Sequence, residues 1–139
     1  MSTINVGRVI LGGLLAGVVV IVGESILNLA VVAQTMNDAL SARNLPPVGG
    51  GAIGGFVVGA FALGIVTVWL YAAIRPRFGP GARTAVIAGA AVWFLAYAYM
   101  GNAWILMGVF PVRLTAVTTL WGLPEIVLAS LAGGWVYKE

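Results

Sequence analysis

The chain has 139 residues, of which 61% are hydrophobic and only 8% charged, and it contains no Cys and no His. A water-soluble domain carries charge on about a quarter of its residues, so part of this protein's solvent must be lipid. The missing thiols and imidazoles exclude disulfides, haem ligation and the usual zinc or copper sites, and no metal or other cofactor is expected. The net charge of +3 comes from seven basic residues scattered over short loops, which fits membrane topology and not a nucleic-acid surface.

Four apolar runs follow one another, each at or above the ~20 residues that a helix needs to cross a bilayer. They are continuous, not alternating, and so read as helices and not as barrel strands. The expectation is one all-α transmembrane domain, a bundle of four helices over 6–34, 52–74, 83–109 and 113–137. The links are an outer loop, 35–51, and a cytoplasmic loop, 75–82. Arg8 followed by an apolar run resembles a secretion signal, but the run is too long for one. It is read as an uncleaved first helix.

Orientation follows from the basic residues. Arg8, Arg75, Arg77, Arg83 and Lys138 flank one side of the predicted bundle, and Arg43 and Arg113 the other. The excess marks the cytoplasmic side, which places both termini there. A bacterial inner membrane is the expected location. Arg75, Arg77 and Arg83 are also candidates for contact with anionic lipid headgroups.

Within the first helix, Gly13 and Gly17 are four residues apart. Gly51, Gly55 and Gly59 repeat that spacing in the second, and Ser130 and Gly134 in the fourth. Small residues at this spacing let helix backbones approach closely. They are expected to pack helices within the bundle, with a subunit-contact face as the sharper alternative.

The first helix also carries Glu24 and Asn28, four apart and on one face. Measured at ~1.5 Å per residue, Glu24 lies ~24 Å above Arg8, Tyr97 ~21 Å above Arg83 and Glu125 ~20 Å above Lys138. These three groups are expected to share one layer near the middle of the membrane. Trp93, Tyr97 and Trp104 read as one stripe of the third helix, and Trp121 shares a face of the fourth with Glu125. Trp69, Tyr71, Trp104, Phe110, Trp135 and Tyr137 fall near helix ends, as an interfacial aromatic belt does.

The fourth helix carries Leu120-Trp-Gly-Leu-Pro-Glu125. Pro124 has no N–H for the carbonyl of Leu120, and a kink at Gly122–Pro124 is expected, with that carbonyl freed beside the carboxyl. An intramembrane acid costs a few kcal/mol and generally faces the protein interior. Glu24, Asn28, Glu125, Tyr97, Trp93 and Trp121 are therefore the candidate proton-, ion- or ligand-binding residues.

Three function classes remain open. The first is a non-catalytic membrane subunit or scaffold that docks other membrane proteins, or copies of itself, through glycine-rich faces. The second is a homo-oligomeric proton- or cation-coupled transporter or channel built on Glu24 and Glu125. The third is a membrane enzyme acting on a lipid or quinone, for which no catalytic motif is present.

Overall fold

A computed structural model describes residues 3–138, whose regular structure is all helical with no strand among them. The elements are α1 (Val6–Ile26), α2 (Ala33–Ser41), α3 (Gly50–Phe78), α4 (Ala82–Trp93), α5 (Met100–Leu106) and α6 (Val112–Val136). A π-helical stretch, Leu27–Val31, prolongs α1, and another, Phe94–Tyr99, joins α4 to α5 without a break. Four helical spans are long and apolar enough to cross a membrane: Val6–Val31, Gly50–Phe78, Ala82–Leu106 and Val112–Val136.

The spans form a ring in which each packs on its neighbour in sequence and α6 closes back onto α1. Asn5 at the start of α1 donates its N–H to the Tyr137 hydroxyl just past α6, at 3.3 Å. Both described ends of the chain thus lie at one end of the bundle. At that end Tyr71 and Tyr137 meet edge-to-face with ring centroids 6.0 Å apart. Both are buried, so these two tyrosines belong to the core and not to an exposed aromatic belt. At the opposite end Arg43 donates to the Gly108 carbonyl at 2.9 Å and lies over the Phe110 ring.

Boundaries differ from the sequence reading where local chemistry overrides hydropathy. The first helical run ends at Val32, whose φ of −115° and ψ of 2° leave the helical region, and α2 occupies part of the predicted outer loop. The α3 helix continues through Pro76 to Phe78, so the expected loop 75–82 shrinks to a turn at 79–81. That turn depends on Gly79 and Gly81, with φ of 83° and 119°, values that a side chain disfavours. The third span stops at Leu106, short of 109. There Gly108 adopts φ 65°, while Val109 N–H bonds the Trp104 carbonyl and Gly108 N–H that of Ile105. This pairing is a Schellman cap.

Small residues do hold the bundle together, but not all of the expected ones. Gly13 and Gly17 face α3, where Gly13 meets Ile65 and Gly17 meets Phe61 and Ala60. The α3 residue that admits them is Gly64, which lies against the backbone of both. Gly12 and Gly133 bring α1 and α6 together, and a Cβ at Gly12 would stand 2.6 Å from the Gly133 carbonyl oxygen. Ser130 is fully buried beside Gly89 and donates to the Ala85 carbonyl at 2.7 Å, joining α6 to α4. Gly134 lies beneath the Tyr71 ring.

Gly51, Gly55 and Gly59 do not pack within the bundle. Nothing lies within 4 Å of where their side chains would project, and of residues 50–59 only Val57 is even half-buried. The spacing put these glycines on one face of α3. That face simply meets no other helix of this chain.

Candidate functional site

The polar layer is assembled from three spans. Glu24 comes from α1, near its π-helical end, and Tyr97 from the π-helical stretch between α4 and α5. Glu125 comes from α6, one residue after Pro124. The Tyr97 hydroxyl lies 3.2 Å from Glu24 Oε1 and 3.0 Å from Glu125 Oε1. Asn28 Nδ2 donates to Glu24 Oε2 at 2.9 Å and also to the Glu24 carbonyl at 2.8 Å. Glu125 is 5% exposed, and its Oε2 is buried without a hydrogen bond.

The stretch around Pro124 supplies this geometry residue by residue. Trp121 donates its indole N–H to the Gly23 carbonyl at 3.2 Å, tying α6 to α1 one residue before Glu24. Gly122 lies against the Tyr97 ring, and any side chain there would occupy the ring's place. Across the interface Gly23 receives the Glu125 carboxyl in the space where its own side chain would be. Gly23 and Gly122 thus belong to the site, although Gly23 did not stand out in the sequence and Gly122 did so only as part of the expected kink. The signal they carry is adjacency to a polar or aromatic anchor, Gly23-Glu24 and Trp121-Gly122, and not a four-residue spacing.

Other expected members fall elsewhere. Trp93 is half-buried, and its N–H is committed to the Thr119 carbonyl at 2.7 Å, so it clamps α4 to α6 and does not reach the carboxyls by any hydrogen bond. The stripe Trp93–Tyr97–Trp104 is also interrupted. The π-helical stretch adds a residue to the turn and shifts the phase of the residues after it, leaving Trp104 exposed against Phe110. The freed carbonyl expected beside Glu125 is that of Leu120. Leu120 and Pro124 both lie on the exposed face of α6, which runs through Pro124 as one helix. Arg75 lies over the Tyr137 ring, centroid distance 5.5 Å, while Arg77 and Arg83 are exposed.

The chemistry open to the layer comes from counting hydrogens. A tyrosine hydroxyl has one hydrogen to donate, and an ionised carboxylate only accepts. Tyr97 can therefore donate to one carboxylate, and its second short contact becomes a hydrogen bond when the other carboxyl carries a proton. Two unit negative charges that share one hydroxyl repel by roughly 2–4 kcal/mol at an effective dielectric near 20. That adds to the few kcal/mol each carboxylate costs in the membrane. A single proton on the pair removes the repulsion and the cost of burying one of the two charges, and a small cation between the carboxyls would offset both charges in part. Compared with known protein families, curated proteins and solved structures, the chain matches none.

Proposed function

We propose that this protein is a small membrane transport protein in which Glu24, Tyr97 and Glu125 bind and release a proton or a small cation. The observation that carries the reading is the single Tyr97 hydroxyl within hydrogen-bond distance of two carboxyls from different spans. A purely structural polar contact needs one acceptor, whereas a second carboxyl at this depth costs a few kcal/mol more. Glu24 is partly exposed and Asn28 exposed, while Glu125 is buried. Such an arrangement has an accessible and a protected end. Four spans enclose little of their own, so the reading includes assembly into a homo-oligomer. It also includes a bacterial inner-membrane location, both termini cytoplasmic and a bend of α6 at Gly122–Pro124.

The test is reconstitution. Proteoliposomes containing the wild-type protein are expected to carry a proton or monovalent-cation flux, and Glu125→Gln is expected to abolish it while keeping the helical content. Undiminished flux in that variant sinks the role given to Glu125. Because the chain has no cysteine, topology is read from single introduced ones. Ser41→Cys should react with an impermeant maleimide in intact cells, and Thr3→Cys should not.

A second reading, a non-catalytic subunit that docks other membrane proteins, draws on the bare end of α3, where Gly51, Gly55 and Gly59 face no helix of this chain. It predicts stoichiometric partners on mild-detergent purification from the native source. A homo-oligomer alone would count against it. The lipid- or quinone-directed reading needs a ligand near Trp121 and Tyr97, where the Trp121 N–H is bonded to the Gly23 carbonyl and the Tyr97 hydroxyl lies between the two carboxyls.

A further inference from the structure

The contacts between α1 and α3 have a fixed register. Gly13 lies against Ile65, and four residues on Gly17 lies against Phe61, so the two helices run antiparallel, residue for residue. Two helical turns further along both helices, on the same face, the register pairs Glu24 with Gly54. Three turns along it pairs Asn28 with Gly50. Those contacts are not made. Val57 is half-buried, every residue from 50 to 56 is exposed, and nothing lies within 4 Å of a side chain at Gly50 or Gly54. The two helices part beyond Val57 and leave a cleft beside the carboxyl layer.

We propose that the end of α3 from Gly50 to Gly59 is a movable wall of the carboxyl site, closing on α1 in the register already set by Gly13 and Gly17. The parted stretch of α1 carries the polar side chains Glu24, Ser25 and Asn28, of which Glu24 and Asn28 fall opposite glycine. In the closed form the absent side chains of Gly54 and Gly50 leave them room. In the open form Glu24 is reached from the side, through the cleft. Five glycines between Gly50 and Gly59 weaken this end of the helix, each costing about 1 kcal/mol relative to alanine. Together with the irregular link from Ala42 to Gly49, they let it move while the contacts at Gly64 hold. The inference rests on the carboxyl site described above but not on what that site transports.

The test uses the double variant Asn28→Cys/Gly50→Cys in lipid nanodiscs. A disulfide needs Cα atoms within about 7 Å, which the closed register provides. Oxidation is expected to form it, and to lower labelling of Glu24 by a lipophilic carbodiimide by about tenfold, as for a population more than ~90% closed. Reduction of the same sample should restore labelling. A second measurement places spin labels at Leu29→Cys and Phe56→Cys, both exposed, and should return two distance populations. A single distance matching the parted helices, with no disulfide formed, overturns the proposal. If the wall closes and protects Glu24 but the wild type carries no flux, the transport reading fails and the wall stands. Flux that depends on Glu125 with no closure has the opposite meaning.

Discussion

The Tyr97 hydroxyl stands 3.2 Å from Glu24 and 3.0 Å from Glu125, joining α1 and α6 through a side chain of the third span. Tyr97→Phe removes the bridge and leaves the ring against Gly122. The expected loss is about 1–3 kcal/mol of stability, because two polar contacts go at once. Difference infrared spectra should show the protonated-carboxyl stretch at higher frequency in the variant, reporting a weaker hydrogen bond. An unchanged carboxyl band would mean that Tyr97 does not hold the proton-bearing group.

Gly23 is expected to be as sensitive as the acids themselves. Gly23→Ala puts a methyl group where the Glu125 carboxyl lies, and overpacking of this kind costs typically 1–3 kcal/mol. The diagnostic is a double-mutant cycle, since residues in direct contact do not behave additively. In the Glu125→Ala background the same substitution should cost much less. Equal costs in both backgrounds would place the carboxyl elsewhere.

The glycines divide into two groups that sequence spacing does not distinguish. Gly64→Leu must push apart the backbones of α1 and α3, and is expected to cost upwards of about 3 kcal/mol or to prevent folding. Gly55→Leu meets nothing within this chain and should leave the unfolding of the isolated protomer within ~0.5 kcal/mol. Reversible denaturation in mixed micelles measures both. If Gly55→Leu leaves the protomer intact but dissociates a purified oligomer, the exposed face of α3 is a subunit contact.

Ser130 offers a quieter check on how α4 and α6 are held. Its hydroxyl is fully buried and donates to the Ala85 carbonyl. Side-chain hydrogen bonds between membrane helices are worth ~0.6 kcal/mol on average and at most ~1.7, so Ser130→Ala should lower stability by about that much. Ser130→Leu should fail to fold, because Gly89 packs on the serine Cβ. A neutral leucine substitution would overturn this packing.

Much of the architecture was legible in the residues alone. Four spans follow from hydropathy because burial in lipid is a nearly additive property of consecutive residues. The common depth of Glu24, Tyr97 and Glu125 follows from a constant rise per residue and the boundaries set by basic residues. Their meeting is a different matter, since depth says nothing about rotation. The two π-helical stretches each change the phase of the residues after them. This is why Tyr97 reaches the layer while Trp104, expected on the same stripe, turns out to the surface.

The sequence alone therefore determined the medium, the number of spans and the layer that holds the acids, all of which depend on position along one axis. Only the tertiary structure decided which glycines pack, that Trp93 and Trp121 spend their N–H groups on carbonyls, and that one tyrosine serves two carboxyls. Those outcomes depend on how helices face each other. A helix face is set by neighbouring backbones, and Gly64 differs from Gly55 not in chemistry but in having α1 beside it.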